Sequence, residues 1–387
     1  MEPRIERLLS WAAGVPGPPT KIEYFPTFEC NSHCIFCHRR ALPRQEWPPD
    51  LPAPQAIRLV EESACLGVIE WHLIGGGEPL AAAVTPTLMS AIKQHGMYGY
   101  LNTNGQLFSH DLVRNLVKLR WDYIKISLHG HDAASHDHMT GVPGSFDRVI
   151  AALAWFQEEK RAHGAVLPRL EIGPVLNRLN FQHLPALVEL AAGFGVAEFR
   201  PQAMTVYTLD CEALRLRNSD QEELNRRVEE VAVFAERHGM VTNINDFRRF
   251  ELVSESNRMD KVIMADEAAA DTHPFLLVPC YEPFYHLTIH SWGRVGICGF
   301  TSMDKCLPLA GKSLADIWYG PEFQAVRRDM LAGRLQDYCS HCVSVLVTQN
   351  ESIRAQLRPL LAPTLRQNHG KWRRFLEKYN PMNRRRS

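Results

Sequence analysis

The chain has 387 residues, 45% of them hydrophobic and 22% charged, with 43 Lys plus Arg against 43 Asp plus Glu. That balance suits a globular protein with a sizeable core, and the zero net charge excludes an overall field drawing it to nucleic acid or an anionic membrane. No apolar run approaches the roughly 20 residues of a membrane-spanning helix, and the charged opening MEPRIERLLS does not suit an export signal, so a cytoplasmic protein with no membrane partner is expected.

After an N-terminal extension (1–20), short β-rich runs alternate with amphipathic stretches through residues 21–205, a grammar that implies a parallel sheet. Strands are predicted over 22–28, 68–74, 98–102, 123–128, 170–176 and 197–201, and helices over 55–66, 86–94, 111–119, 146–163 and 184–194. The fourth helix places Val149, Ala152, Leu153 and Phe156 in helical spacing. Six strands are too few to close an eight-stranded barrel, so the fold expected is a partial (β/α)6 TIM-like barrel. Residues 206–272 read as a helical connector, with a helix over 218–238 capped by Ser219 or Asp220 and an acidic, Ala-rich stretch over 260–273. A small α+β domain (273–350) follows, with a hairpin of strands 287–290 and 295–298 turned at Ser291-Trp292-Gly293. A basic helical tail (351–387) carrying Lys371, Arg373, Arg374 and Arg384 to Arg386 ends the chain.

Ten cysteines in a reducing compartment point to metal rather than disulfides, so their spacing matters. Cys30, Cys34 and Cys37 stand in C-x3-C-x2-C spacing on a loop just beyond the first strand. Three close thiolates can clasp one iron–sulfur cube and leave one iron open; a zinc site completed by His33 or His38 is the alternative. Gly75-Gly76-Gly77-Glu78-Pro79 follows the second strand, where missing Cβ atoms let backbone approach a ligand at the end that βα folds use for active sites.

In these residues the chain resembles the radical S-adenosylmethionine (SAM) superfamily over roughly residues 21–205, with Phe36 at that family's aromatic position before the last cysteine. The resemblance implies a [4Fe–4S] cluster whose open iron binds SAM, which is cleaved to methionine and a 5′-deoxyadenosyl radical. It implies that Gly75, Gly76, Gly77 and Glu78 bind the SAM ammonium, and that Thr103, Asn104 and Ser127 lie near its methionine and ribose. Thr140 stands where the family often has arginine for the SAM carboxylate, which leaves Asn177 and Arg200 as candidates. His129, His131, His136 and His138 fall in an expected loop, as solvated or substrate-contacting residues or as a separate metal site.

Cys280, Cys298, Cys339 and Cys342 form a second set able to close a cluster completely, or to hold zinc. It resembles the auxiliary-cluster domain of SPASM and twitch radical SAM enzymes, the shorter one-cluster twitch form being the better match. Of the remaining cysteines, Cys65 reads as core and Cys306 as incidental, a substitute ligand or a hydrogen-atom donor. A closed second cluster passes electrons, which favours net oxidation, and the resemblance to twitch enzymes implies oxidation of an alcohol in an aminocyclitol or amino sugar. A peptide-modifying enzyme and a sugar epimerase or deaminase are the alternatives. A small-molecule substrate is favoured because only about twenty residues precede the first strand, with a flavodoxin- or ferredoxin-type electron donor and no nucleic-acid partner.

Overall fold

Apolar residues spaced for helices and short runs spaced for strands do alternate in space as they do in sequence. The structure, a computed structural model, describes residues 2–41, 48–206, 208–249, 273–342 and 344–361. The acidic, Ala-rich stretch to residue 272 and the basic tail from 362 lie outside them. In chain order the elements are α1 (Pro3–Ala12), β1 (Lys21–Tyr24), α2 (Ala53–Leu66), β2 (Glu70–Leu73), α3 (Thr85–Gln94), β3 (Tyr98–Thr103), α4 (His110–Lys118), β4 (Tyr123–Ile126), α5 (Ala133–Thr140) and α6 (Ser145–His163). Then come β5 (Arg169–Ile172), β6 (Val175–Leu176), α7 (Leu184–Gly193), β7 (Glu198–Phe199), β8 (Gln202–Ala203), α8 (Leu209–Glu212), α9 (Gln221–His238) and β9 (Val241–Thr242). The last are β10 (His286–His290), β11 (Arg294–Gly296), β12 (Leu307–Pro308), α10 (Leu314–Trp318), α11 (Pro321–Leu331) and α12 (Ser344–Leu361).

The described residues divide into two compact units, a larger one of Tyr24–Val60 and Glu70–Ser254 and a smaller one of Met1–Glu23, Glu61–Ile69 and Glu255–Ser387. In the larger, β2-β3-β4-β5-β7-β9 lie side by side and every adjacent pair is parallel. Register sorts the two faces. Leu73, Leu101, Ile124, Ile126, Leu170, Ile172 and Phe199 are buried on one, each contributing about 1.5–3 kcal/mol by leaving water. The helix α6 buries Val149, Ala152, Leu153 and Phe156, the four positions its periodicity singled out.

The opposite face is polar. His72, Tyr100 and Tyr123 occupy successive in-register positions, with ring centroids 4.6 and 5.4 Å apart. The Tyr123 hydroxyl donates to Glu171 at 2.6 Å, and Lys125 Nζ lies 2.8 Å from the same carboxylate. Both members of the Lys125–Glu171 pair are buried, which a parallel sheet tolerates only because each charge answers the other.

Several expectations are corrected. The strand expected over 170–176 breaks into β5 and β6 at Gly173-Pro174, because Pro174 has no N–H for the ladder and a Cβ on Gly173 would sit 2.2 Å from Lys125 Cε. The segment expected as a helical connector includes α9, packed on α7, and β9, which adds a strand beside β7. The histidine-rich stretch expected as a loop contains α5, capped by Asp132, which accepts the Ser135 N–H at 2.8 Å, and ended by Gly141 at φ 68°.

In the smaller unit β10 and β11 pair as the expected hairpin, Thr288 opposite Gly296 and His290 opposite Arg294. Gly293 turns it at φ 75°, a left-handed conformation that favours glycine. The residues read as an N-terminal extension belong to this unit's core. Trp11 packs edge-on to Phe284 at 5.4 Å, and the Arg327 guanidinium lies 3.9 Å from the Trp318 ring and 5.0 Å from Trp11. Arg327 also donates to the carbonyls of Pro283 at 2.7 Å and Trp318 at 2.6 Å, so its charge is buried with partners.

Candidate functional site

The loop after β1 carries Cys30, Cys34 and Cys37, and α5 gives it its shape. The N–H groups of His33 and Ile35 donate to the carbonyls of Thr140 and Met139 at 2.8 and 3.0 Å, the last helical residues of α5. Orphan carbonyls at a helix end thus hold the loop that bears the thiols. Phe36 is buried and packs edge-on with His129, ring centroids 4.9 Å apart. Burial pushes the Cys34 thiol up to about 12, with Cys37 and Cys30 adding to the shift, and pushes Cys30 up as well. Thiols placed this way keep their protons until a cation ligates them, which is the donor chemistry of a metal or cluster site.

The segment after β2 meets this loop directly. Gly77 N–H donates to Thr27 O at 3.1 Å and Glu78 N–H to Glu29 O at 2.8 Å. A Cβ on Gly76 would lie 2.4 Å from the Phe28 ring and one on Gly77 2.0 Å from Glu29 O, so these glycines are needed for chain against chain. Glu78 is buried, and its carboxylate accepts from Thr103 Oγ1 at 2.6 Å, Asn104 N–H at 2.7 Å and Leu80 N–H at 3.1 Å. Burial outweighs these bonds and pushes its carboxyl up to about 7. Asn104 Nδ2 reaches Asn31 Oδ1 at 2.7 Å and Ser32 Oγ at 3.2 Å, while Gln106 Nε2 reaches Ser32 Oγ at 2.7 Å. Three segments distant in sequence, 30–37, 75–79 and 103–106, therefore form one hydrogen-bonded site.

The second set gathers in the smaller unit. Cys298 follows β11, and Cys339 and Cys342 lie in a turn before α12, with Cys342 N–H donating to Cys339 O at 3.1 Å. Cys342 is buried and packs on Cys280. Burial pushes Cys298 up to about 12 and Cys280 well above its ordinary value, each raised further by Glu282 and by Cys339, and Cys280 also by Cys298. Cys342 is buried and Cys280, Cys298 and Cys339 are half-buried, and thiols raised in this way have the same need of a cation.

The sequence profile of the radical SAM superfamily matches residues 24–188, and that of SPASM, an iron–sulfur cluster-binding domain, matches 280–343. The chain carries a radical SAM domain followed by a SPASM domain. The radical SAM domain binds SAM and a [4Fe–4S] cluster and the SPASM domain binds auxiliary iron–sulfur chemistry, so the zinc alternatives give way. PqqA peptide cyclase of Granulibacter bethesdensis is 27% identical over 178 residues, 46% of this chain and 45% of that protein. Probable GTP 3′,8-cyclase of Pyrobaculum aerophilum is 32% identical over 180 residues, 46% and 55%. The chain spans about half the length of the curated relatives it matches. Among solved structures, SuiB of Streptococcus suis bound to SAM superposes with TM-score 0.59 at 19% identity over 80% of this chain and 68% of that one. Native anSMEcpe with bound AdoMet gives 0.57 at 14% over 90% and 100%. The fold is a TIM-like partial barrel followed by a C-terminal domain.

The remaining candidates of the radical SAM domain divide. Ser127 is half-buried, its N–H donating to Thr103 O at 2.9 Å, which sets it beside the site. Asn177 is fully buried and its side chain is used locally, accepting from Leu179 N–H at 2.8 Å and donating to Val175 O at 3.0 Å. It shapes a turn. Arg200 pairs with Glu198 at 2.8 Å, and Thr140 shares its hydroxyl with Ser145 at 2.7 Å. His129 and His136 are buried, each accepting a backbone N–H at Nδ1, from Val175 at 3.2 Å and His129 at 3.1 Å. His131 stacks on His183 at 4.5 Å. Cys306 is buried and its thiol donates to Thr301 O at 3.7 Å. Cys65, expected in the core, is exposed on α2. The sequence alone did not mark Asn31, Ser32, Gln106 or the polar sheet face, although Gln106 lies two residues beyond Asn104, whose Oδ1 accepts its N–H at 3.0 Å.

Proposed function

We propose that the chain is a radical SAM enzyme that modifies a peptide, with Cys30, Cys34 and Cys37 holding the SAM-binding cluster and Cys280, Cys298, Cys339 and Cys342 an auxiliary one. When bound, the first cluster with SAM supplies hydrogen abstraction and the second an electron acceptor for net oxidation. Glu78 offers its carboxylate to the SAM ammonium, and Thr103 and Asn104 fix its orientation. Asn31, Ser32 and Gln106 keep the thiol loop in register with it. Phe36 and His129 close the loop's inner side against water. Ser127 borders the ribose side. An external flavodoxin- or ferredoxin-type protein donates electrons.

The observation that supports a peptide substrate is the run of PqqA peptide cyclases among the curated relatives, 25–32% identical as a group with the others over the radical SAM domain. Oxidation of an aminocyclitol or amino sugar draws no support from them. The test is anaerobic incubation of the reconstituted chain with SAM, dithionite and short peptides encoded beside its gene. Conversion of SAM to 5′-deoxyadenosine together with a mass change in one peptide supports the reading. Conversion with no peptide altered, while an amino sugar is oxidised, overturns the peptide assignment.

A further inference from the structure

We propose that Arg148 receives the carboxylate of SAM in this chain. The proposal rests on the thiol loop being the SAM site. Arg148 lies in the first turn of α6 and is exposed. Its Nη2 donates to two neutral oxygens, Gln106 Oε1 and Pro143 O, each at 3.3 Å. The Gln106 amide is buried and its other end donates to Ser32 Oγ at 2.7 Å, between Cys30 and Cys34. One amide thus ties the guanidinium to the thiol loop.

The charge of this guanidinium is unanswered by any described acid. Among the described residues no carboxylate lies within ion-pair distance of Arg148, whereas Arg200 and Arg169 pair with Glu198, Arg178 with Asp220 and Arg114 with Glu159. The nearby acid, Asp137, spends its carboxylate on Gly144 N–H, Ser145 Oγ and Phe146 N–H at 2.6 to 2.8 Å. The start of α6 is therefore already satisfied, and the anion-seeking group left there is the guanidinium, with a planar fork of donors that suits a carboxylate. Thr140, closer to the loop, has no charge and its hydroxyl is engaged. Arg39, whose charge is felt by Cys30, is the competing cation.

The test is equilibrium binding of SAM and of decarboxylated SAM, which keeps the sulfonium and amine, to the anaerobically reconstituted full chain, with iron counted in every variant. Wild type should prefer SAM, both through the guanidinium and through the carboxylate's own affinity for the open iron. Arg148→Ala should narrow that preference by about tenfold to a hundredfold, the worth of a charged hydrogen-bonded pair, with decarboxylated SAM bound at the wild-type level, and Arg148→Lys should regain part of the loss. An unchanged preference in Arg148→Ala, an equal weakening of both compounds, or the narrowing in Arg39→Ala instead would each overturn the assignment. If Arg148→Ala holds less iron than wild type, Arg148→Gln is read by the same comparison. Wild type that binds neither compound would instead sink the reading of the thiol loop.

Discussion

Glu78 and Asn104, 26 residues apart in sequence, meet at 2.7 Å through a carboxylate oxygen and a backbone N–H. The contact joins the ends of β2 and β3, and Asn104 carries it on to Asn31 in the thiol loop. A single buried acid thereby sets the distance between the glycine segment and the cysteines.

That acid should govern SAM binding through its charge. With its carboxyl pushed up to about 7 by burial, Glu78 is neutral in acid and becomes an anion as pH rises through that value. SAM affinity should strengthen across that interval and level off above it, while Glu78→Gln should bind about tenfold more weakly with little pH response. Dissociation constants measured across pH for both proteins decide it; a flat wild-type profile counts against the role.

A second pH effect concerns stability. Burial lowers His129 to about 3 and His136 to about 4. Both rings accept backbone N–H groups at Nδ1, which requires that nitrogen to be unprotonated. Below about 6.5 the unfolded chain binds protons that the folded chain refuses, so stability falls as pH drops from there toward 4. Thermal melts should show that decline, and His136→Phe should flatten part of it. A melting temperature unchanged between pH 7 and 5 would count against buried neutral rings.

Loss of one auxiliary ligand should separate two activities. Cys339→Ala removes a thiol from the second set and touches none of segments 30–37, 75–79 and 103–106. The variant should still make 5′-deoxyadenosine yet give little modified product, with about four irons in place of about eight. Equal loss of both activities with a lowered melting temperature would mean that the second site is structural.

Asp137 offers a purely local test. Its three bonds cap the start of α6 and fix the end of α5 that grips the thiol loop. Asp137→Ala should cost about 1–2 kcal/mol in urea unfolding and lower the iron retained after gel filtration. Unfolding unchanged within about 0.5 kcal/mol would remove the cap from the account.

Where sequence and structure agree, the signal was periodic or punctuated. The spacing of Val149 to Phe156 located α6, and the Ser291-Trp292-Gly293 turn located the β10–β11 hairpin. The helix α5 went unseen because His, Ala and Ser give its eight residues no apolar stripe, although Asp132 and Gly141 marked both ends. Spacing marked the thiols as one group, whereas Glu78 drew notice through the resemblance. The partners of Asn177 and Arg200 were not legible, since a turn bond and an ion pair to Glu198 depend on how the chain returns upon itself. The polar sheet face escaped for a related reason: Tyr123, Lys125 and Glu171 look unremarkable singly, and only strand register sets them in one row.

The grip of α5 on the thiol loop bears on what shapes the cradle. Backbone bonds from His33 and Ile35 to Thr140 and Met139 make the loop's shape depend on a helix far along the chain, so α5 is a part of the cradle that the cysteine motif does not itself contain. A substitution that loosens α5 should therefore reshape the cysteine loop without touching any thiol.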